Sequence, residues 1–468
     1  RSTLFPYTTL FRSTNRFGST YTKLVAVDET AGEILGTAQS PTTVETDISE
    51  GLRSARAHLE RTTGPLAFPT IRACSSAAGG LRMIVSGLVL DLTAKAARLA
   101  ALGGGGKILK VFAGKLTDSD IDFILNARPD LFLLTGGTDG GDEKCILTNA
   151  ERLARSGIDC PILIAGNRNA ADECCKILSA AGKPAMITPN VLPRLDQLNI
   201  RPVQDQIRKT FLSQIIHAKG LSRMETIMGE ITMPTPVSVL KALTLLSKGV
   251  NQNPGLGPLM AVDLGGATTD VYSIADGAPE NSNTYLKGLI DPYEKRSVEG
   301  DIGMRISIHG ILEAAGAERI ARIADTSVDE VNAWADKVQA NHGLLPRNER
   351  EARLDHAFAC AAVQAATIRH AGTIEESYTP AGQIFIQEGK DLRSIETVVL
   401  IGGALIHAAA PREIAAFASY SKEFPSSLRP NRVDVLLDKK YILSAMGVLS
   451  EINPESALSI MKKEIIHA

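Results

Sequence analysis

The chain has 468 residues, of which 44% are hydrophobic and 22% charged, with a formal net charge of −2. That length exceeds one compact core and implies two or three domains, while the near-neutral balance excludes charge-driven binding to nucleic acid or an acidic membrane. No apolar run reaches membrane-spanning length, and the six cysteines (Cys74, Cys145, Cys160, Cys174, Cys175, Cys360) form no C-x-x-C pair and no zinc-spaced cluster, so reduced thiols in a cytoplasm are expected. Residues 1–13, RSTLFPYTTLFRS, have neither helical nor strand period. They look like translated sequencing-adapter read-through and are set aside from fold reasoning. TKLVAVDE and EILGTAQSPTT predict paired strands, and DISEGLRSARAHLERTTG a capped helix. TIRACSSAAGGLRMIVSGLV predicts two apolar segments broken at Gly79–Gly80. From about residue 107 short apolar runs (KILKVFAG, DLFLLTGG, CPILIAGN, PAMITPN) alternate with helical stretches, which is the grammar of a small parallel sheet covered by helices. A mostly helical stretch covers about 200–250; then come a hairpin, helices to about 372, the run TVVLIGGALI and a last helix pair.

The hairpin is AVDLGGATTDVYSI, residues 261–274. Its first apolar run ends near Asp263, and its second starts after Asp270. Gly265 and Gly266 permit a sharp turn and close approach of a ligand. Ala267, Thr268 and Thr269 are small, and exposed amides in such a turn form a nest for anionic oxygens. Two aspartates repel a phosphate unless a cation intervenes, and magnesium resolves that conflict. The composition therefore fits a metal–phosphate complex, with a plain solvated hairpin as the equal alternative if the motif stood alone.

Two other stretches accompany it. RFGSTYTKLVAVD, residues 16–28, repeats the plan with Gly18, Ser19, Thr20 and Thr22, and VVLIGGALIHA, residues 398–408, sets Gly402 and Gly403 between a strand and a helix. Two phosphate hairpins and a late glycine turn resemble the actin–Hsp70–sugar kinase superfamily. That resemblance implies an α/β actin-like ATPase fold: two ribonuclease-H-like lobes, with a Rossmann-like α/β insertion in the first. Lobe one is placed at 14–250, with the insertion at about 105–190, and lobe two at 251–468. It assigns Gly18, Ser19, Thr20 and Thr22 to the first phosphate loop. Gly265, Gly266, Thr268 and Thr269 fall in the second, and Gly402 and Gly403 in the adenosine loop. Asp263 aligns magnesium, through water or directly, with Asp270 as the second catalytic carboxylate. One departure stands out: the superfamily's acid two residues before the first glycine is here Arg16.

Further blocks occur together and in order: GTAQSPTTVETDISEGL, ACSSAAGGLRM, LLTGGTDGGD, MPTPVSVL, SVEGDIGMR, RHAG and SAMGVLSEINPE. From Phe17 to the C-terminus they resemble the MutL accessory proteins of adenosylcobalamin-dependent glutamate mutase, unrelated to mismatch repair, whose relatives accompany ornithine aminomutase. The resemblance implies a Mg-ATP-dependent reactivating chaperone. Its partners would be the mutase subunits, and adenosylcobalamin would enter only through them. The D-x-H-x-x-G motif that ligates cobalt is absent: His309 lies in SIHG and His407 in LIHA. Turnover of glutamate by the chain itself is therefore not expected. A small-molecule kinase of the same fold and an iron–sulfur activator ATPase are the alternatives; the first lacks a visible acceptor pocket and the second a shared cysteine cluster.

Five remaining features have both a structural and a functional reading. LGGGGKI, residues 102–108, fails P-loop spacing and precedes a strand, so a flexible loop is expected. TGGTDGGD, residues 135–142, is expected to be a glycine-rich strand-to-helix turn. SVEGDIGMR, residues 297–305, is expected to open a helix, bringing Glu299 or Asp301 towards a ribose or water. Cys74 is expected to be a buried packing residue, and His370 a helix-end residue favoured there for its positive charge.

Overall fold

The structure, a computed structural model, describes residues 11–17, 21–41, 48–65, 70–75, 81–218, 230–380 and 382–468. The chain forms two units: residues 1–242 with 444–460, and residues 243–443 with 461–468. The first boundary thus falls inside helix Thr235–Lys248, ahead of the expected 250, and a short C-terminal segment returns to unit one. That return has a packing cause. Ser238 donates its hydroxyl to the Ser444 carbonyl, and a Cβ added at Gly447 would lie 1.8 Å from the Ser238 carbonyl oxygen. Only glycine lets helix Leu443–Leu449 approach so closely.

Unit one holds a five-stranded sheet in the order 230–234, 70–75, 11–17, 21–28, 33–41. The strands at 11–17, 21–28 and 33–41 run antiparallel, and those at 70–75 and 230–234 join parallel. Numbered along the chain this is 5-4-1-2-3. The first strand starts at Phe11, within the segment set aside from the sequence, and its backbone pairs Phe11 with Asp28 and Arg16 with Lys23.

The insertion is a second, wholly parallel five-stranded sheet in the order 106–113, 81–87, 131–134, 162–164, 185–187. It begins at Leu81, earlier than the expected 105, because Leu81–Gly87 is its second strand in space and its first in sequence. This is the doubly wound 2-1-3-4-5 order. Ile84, Phe132, Leu134, Ile162 and Ile164 form its core with Ile146 and Leu153 of helix Lys144–Arg155 and Leu178 of helix Arg168–Ala180. The LGGGGKI run is neither P-loop nor flexible loop. It joins helix Lys95–Gly103 to strand Gly106–Ala113 through a tight turn in which Gly105 has φ +91° and any side chain would strike Pro234. In TGGTDGGD the aspartates serve the turn itself: Asp139 accepts from Arg168 N–H and Asn190 Nδ2, and Asp142 from Cys145 N–H.

Unit two repeats the architecture of unit one. Its sheet runs 294–299, 269–274, 259–264, 397–401, 434–437 and 466–467. The first three are antiparallel neighbours, and 397–401 and 434–437 add parallel. In chain order that is 3-2-1-4-5 plus a two-residue edge strand, the ribonuclease-H-like arrangement found in unit one. Met260, Val262, Leu264 and Val271 pack on Phe358, Ala362 and Val363 of helix Glu349–His370. A separate three-stranded sheet of 284–287, 382–388 and 373–379 belongs to this unit and was not anticipated. Among the described residues no helix is long and apolar enough to cross a membrane.

Candidate functional site

Strands Leu259–Leu264 and Thr269–Ile274 form the expected hairpin, with Asp263 directly opposite Asp270 and Leu264 opposite Thr269. The four-residue tip is closed by Gly265 N–H donating to the Thr268 carbonyl at 3.0 Å. It is held from outside by residues 303–306. Met304 N–H donates to the Gly265 carbonyl, and the amides of Arg305 and Ile306 both donate to the Gly266 carbonyl. Gly303 makes this possible, since a Cβ there would lie 2.4 Å from the Ala267 backbone carbon. Arg305 anchors the bracing loop through a double ion pair to Asp355, at 2.8 and 3.1 Å. The carbonyls of Gly265, Gly266 and Thr268 are thus occupied, whereas the amides of Gly266, Ala267 and Thr268 donate to no group among the described residues. Three such donors on a braced turn are available to an anionic oxygen.

The glycine turn converges on this hairpin. Gly402, between strand Thr397–Ile401 and the short helix Gly403–Ile406, has φ +95°. A Cβ on Gly402 would lie 2.3 Å from the Leu264 carbonyl oxygen and 3.0 Å from Asp263 Oδ1. Asp263, half-buried, therefore directs its carboxylate towards the Gly402 backbone. Gly403 faces the Tyr441 hydroxyl.

Several expected roles change. Asp270 is locked in an ion pair: Arg296 Nε lies 2.8 Å and Nη2 2.6 Å from its Oδ1. Burial opposes the charge on Arg296, but Asp270 and the Tyr272 oxygen outweigh it and raise the guanidinium's pKa. Thr269 is fully buried and donates its hydroxyl to the Ile302 carbonyl at 2.9 Å, so it braces the hairpin. Thr268, half-exposed at the tip, remains placed for a ligand. SVEGDIGMR does not open a helix; Glu294–Glu299 is the third sheet strand, because its pairing with the hairpin (Thr269 opposite Glu299) overrides local propensity. Glu299 is buried and paired with Arg369 at 2.7 Å, and Asp301 lies 3.8 Å from the same guanidinium. Thr22 is a fully buried strand residue of unit one. Gly18, Ser19 and Thr20 lie outside the described residues. Cys74 is buried as expected, accepting from the Thr235 hydroxyl.

His370 does end its helix, but as a neutral residue. It is fully buried, with Nε2 2.9 Å from Ser273 Oγ and Nδ1 2.7 Å from Ser297 Oγ. Burial first, then Lys295 and Lys390, lowers its pKa well below the ordinary value. The unfolded chain takes up a proton near pH 6.5 that the native ring refuses, so this group's contribution is present above that pH and lost as pH falls below it, at up to about 1.4 kcal/mol per pH unit. Lys390, its pKa lowered to about 7 by burial, adds stability as pH rises from about 7 towards 10. We predict that His370→Gln flattens the fall in melting temperature between pH 6.5 and 5. Parallel curves for variant and wild type would show that the ring does not control acid lability.

Arg296, Arg305, Asp355 and Tyr272 were not legible in the sequence. Their roles depend on strand adjacency and burial, which leave no motif.

Two units, each with the ribonuclease-H-like strand order, define the actin-like fold class, here with a doubly wound insertion in the first. Residues 14–465 match the MutL protein family, and the chain belongs to that family. It is 44% identical over 454 residues to Protein MutL of Clostridium tetanomorphum, covering 96% of this chain and 98% of that protein. Among solved structures it is similar to xylulose kinase from Bifidobacterium adolescentis, with 13% identity, coverage of 98% and 94%, and a TM-score of 0.33. It is also similar to the ethanolamine utilization protein EutJ from Carboxydothermus hydrogenoformans, with 12% identity, coverage of 97% and 90%, and a TM-score of 0.30. Those scores add nothing to the fold assignment, which rests on strand order.

Proposed function

We propose that this chain binds Mg-ATP at the 263–270 hairpin and hydrolyses it to drive reactivation of an adenosylcobalamin-dependent mutase of the glutamate mutase or ornithine aminomutase type. The observation that carries the nucleotide reading is the braced tip, with three amides that donate to no group among the described residues and a carboxylate beside a glycine turn. Among the described residues no cluster of three or more His, Cys, Asp or Glu could hold a metal alone. That fits magnesium arriving with phosphate, since magnesium is commonly held by one or two carboxylates plus substrate oxygens.

In this reading Gly266, Ala267 and Thr268 bind phosphate oxygens through their amides, and the Thr268 hydroxyl adds a further donor. Asp263 holds the metal or its water. Gly402 lets the glycine turn close onto Leu264 and Asp263, so the turn lies beside the carboxylate. Magnesium would offset charge on the transferring group. The rigid loop at 303–306 keeps the donors in place before reaction, so little reorganisation is required. The mutase partner is supported by family membership alone.

Calorimetry with ATP, with and without magnesium, tests the site. We predict magnesium-dependent binding, and no heat under either condition would remove the nucleotide reading. Capture of purified glutamate mutase subunits by this chain, compared with and without ATP, tests the partner. Nucleotide-independent absence of capture would remove the chaperone reading and leave the site standing.

A further inference from the structure

Asp263 and Asp270 are direct cross-strand partners, so both side chains leave the same face of the hairpin, with Cβ atoms about 5 Å apart. Two carboxylates so placed would set two negative charges beside a phosphate nest. The third strand alters that sum. Arg296, on Glu294–Glu299, places two guanidinium nitrogens on Asp270, with side chains only 4% and 13% exposed, and it also hydrogen-bonds the buried Tyr272. A guanidinium stays charged at any working pH. The three side chains Asp263, Asp270 and Arg296 together therefore carry one negative charge instead of two.

We infer that Arg296 is a positioning residue that sets the class of ligand at the hairpin: by neutralising Asp270 it favours a metal–polyphosphate over a bare divalent cation. The inference rests on the Mg-ATP reading. Without Arg296 the facing carboxylates form a dianionic pair, which attracts a naked divalent ion and repels phosphate.

The test uses the full chain and two probes: Mn2+ alone, followed by electron paramagnetic resonance, and Mg-ATP, followed by calorimetry. Arg296→Met should tighten Mn2+ alone by on the order of tenfold and weaken Mg-ATP by a similar factor. Adding Asp270→Asn to that variant restores the charge count, and both affinities should move back towards wild type. A merely structural arginine would lower both affinities, and the second change would rescue neither; that pattern overturns the inference. If Arg296→Met does not fold, Asp270→Asn alone serves. It removes a negative charge beside the retained guanidinium, so ATP binding should lose much of its magnesium dependence, and an unchanged dependence overturns the inference. A wild-type chain that binds no Mg-ATP defeats the nucleotide reading itself, which is a separate result.

Discussion

Under the proposed function, Asp263→Asn is expected to lower ATP hydrolysis by on the order of a hundredfold or more, the scale associated with loss of one preorganised electrostatic contact, while leaving the melting temperature of the ligand-free protein nearly unchanged. The side chain is half-buried at the end of a strand whose preceding residues, Leu259 to Val262, are fully buried. The strand is therefore held by its apolar neighbours, and an isosteric amide keeps the shape. Relief of repulsion between Asp263 and Asp270 adds little stability, because Arg296 already neutralises Asp270. The discriminating readout is nucleotide-dependent stabilisation. A ligand that binds only the native state raises the melting temperature by mass action, and the variant should lose that rise together with turnover. Normal hydrolysis by Asp263→Asn would reduce the hairpin to a structural element.

Gly402→Ala should damage both the fold of unit two and its hairpin site. The backbone at φ +95° lies in a region that side chains disfavour, at about 1–3 kcal/mol. The added carbon would also sit 2.3 Å from the Leu264 carbonyl oxygen, an overlap that forces the glycine turn off the hairpin. We expect a loss of about 3 kcal/mol or more, read as a fall of roughly 10 °C in the transition of this unit, together with loss of nucleotide binding. Gly266→Ala is the control. That position has no positive φ, and its added carbon would meet Arg305 Cβ at 3.6 Å, an ordinary contact. It should melt within about 2 °C of wild type. Equal melting of Gly402→Ala and wild type would show that the turn can withdraw from Asp263 without cost.

The amino-acid sequence alone determined the elements whose signal is local. The hairpin was legible because two apolar runs flank a tip of glycine and small residues, and its register follows from a four-residue turn with both faces of the strands buried. The glycine turn at 402–403 was legible for the same reason, as was the alternation of short apolar runs and helices in the insertion. Family membership followed from many blocks kept in order. Tertiary structure decided the charges. A strand and a helix opening compete within SVEGDIGMR, and only pairing with the hairpin made it a strand. With Glu294–Glu299 as a strand, Arg296 lies beside Asp270 and Glu299 meets Arg369, so Asp270 and Glu299 each sit in an ion pair within the protein. His370 kept its place at a helix end but lost its charge, because burial among Ser273, Ser297 and two lysines removes the water that a cation requires. The physical reason is common to these cases. Propensity and turn chemistry act over a few residues and are written in their order, whereas desolvation and Coulomb energy depend on groups brought together from distant parts of the chain.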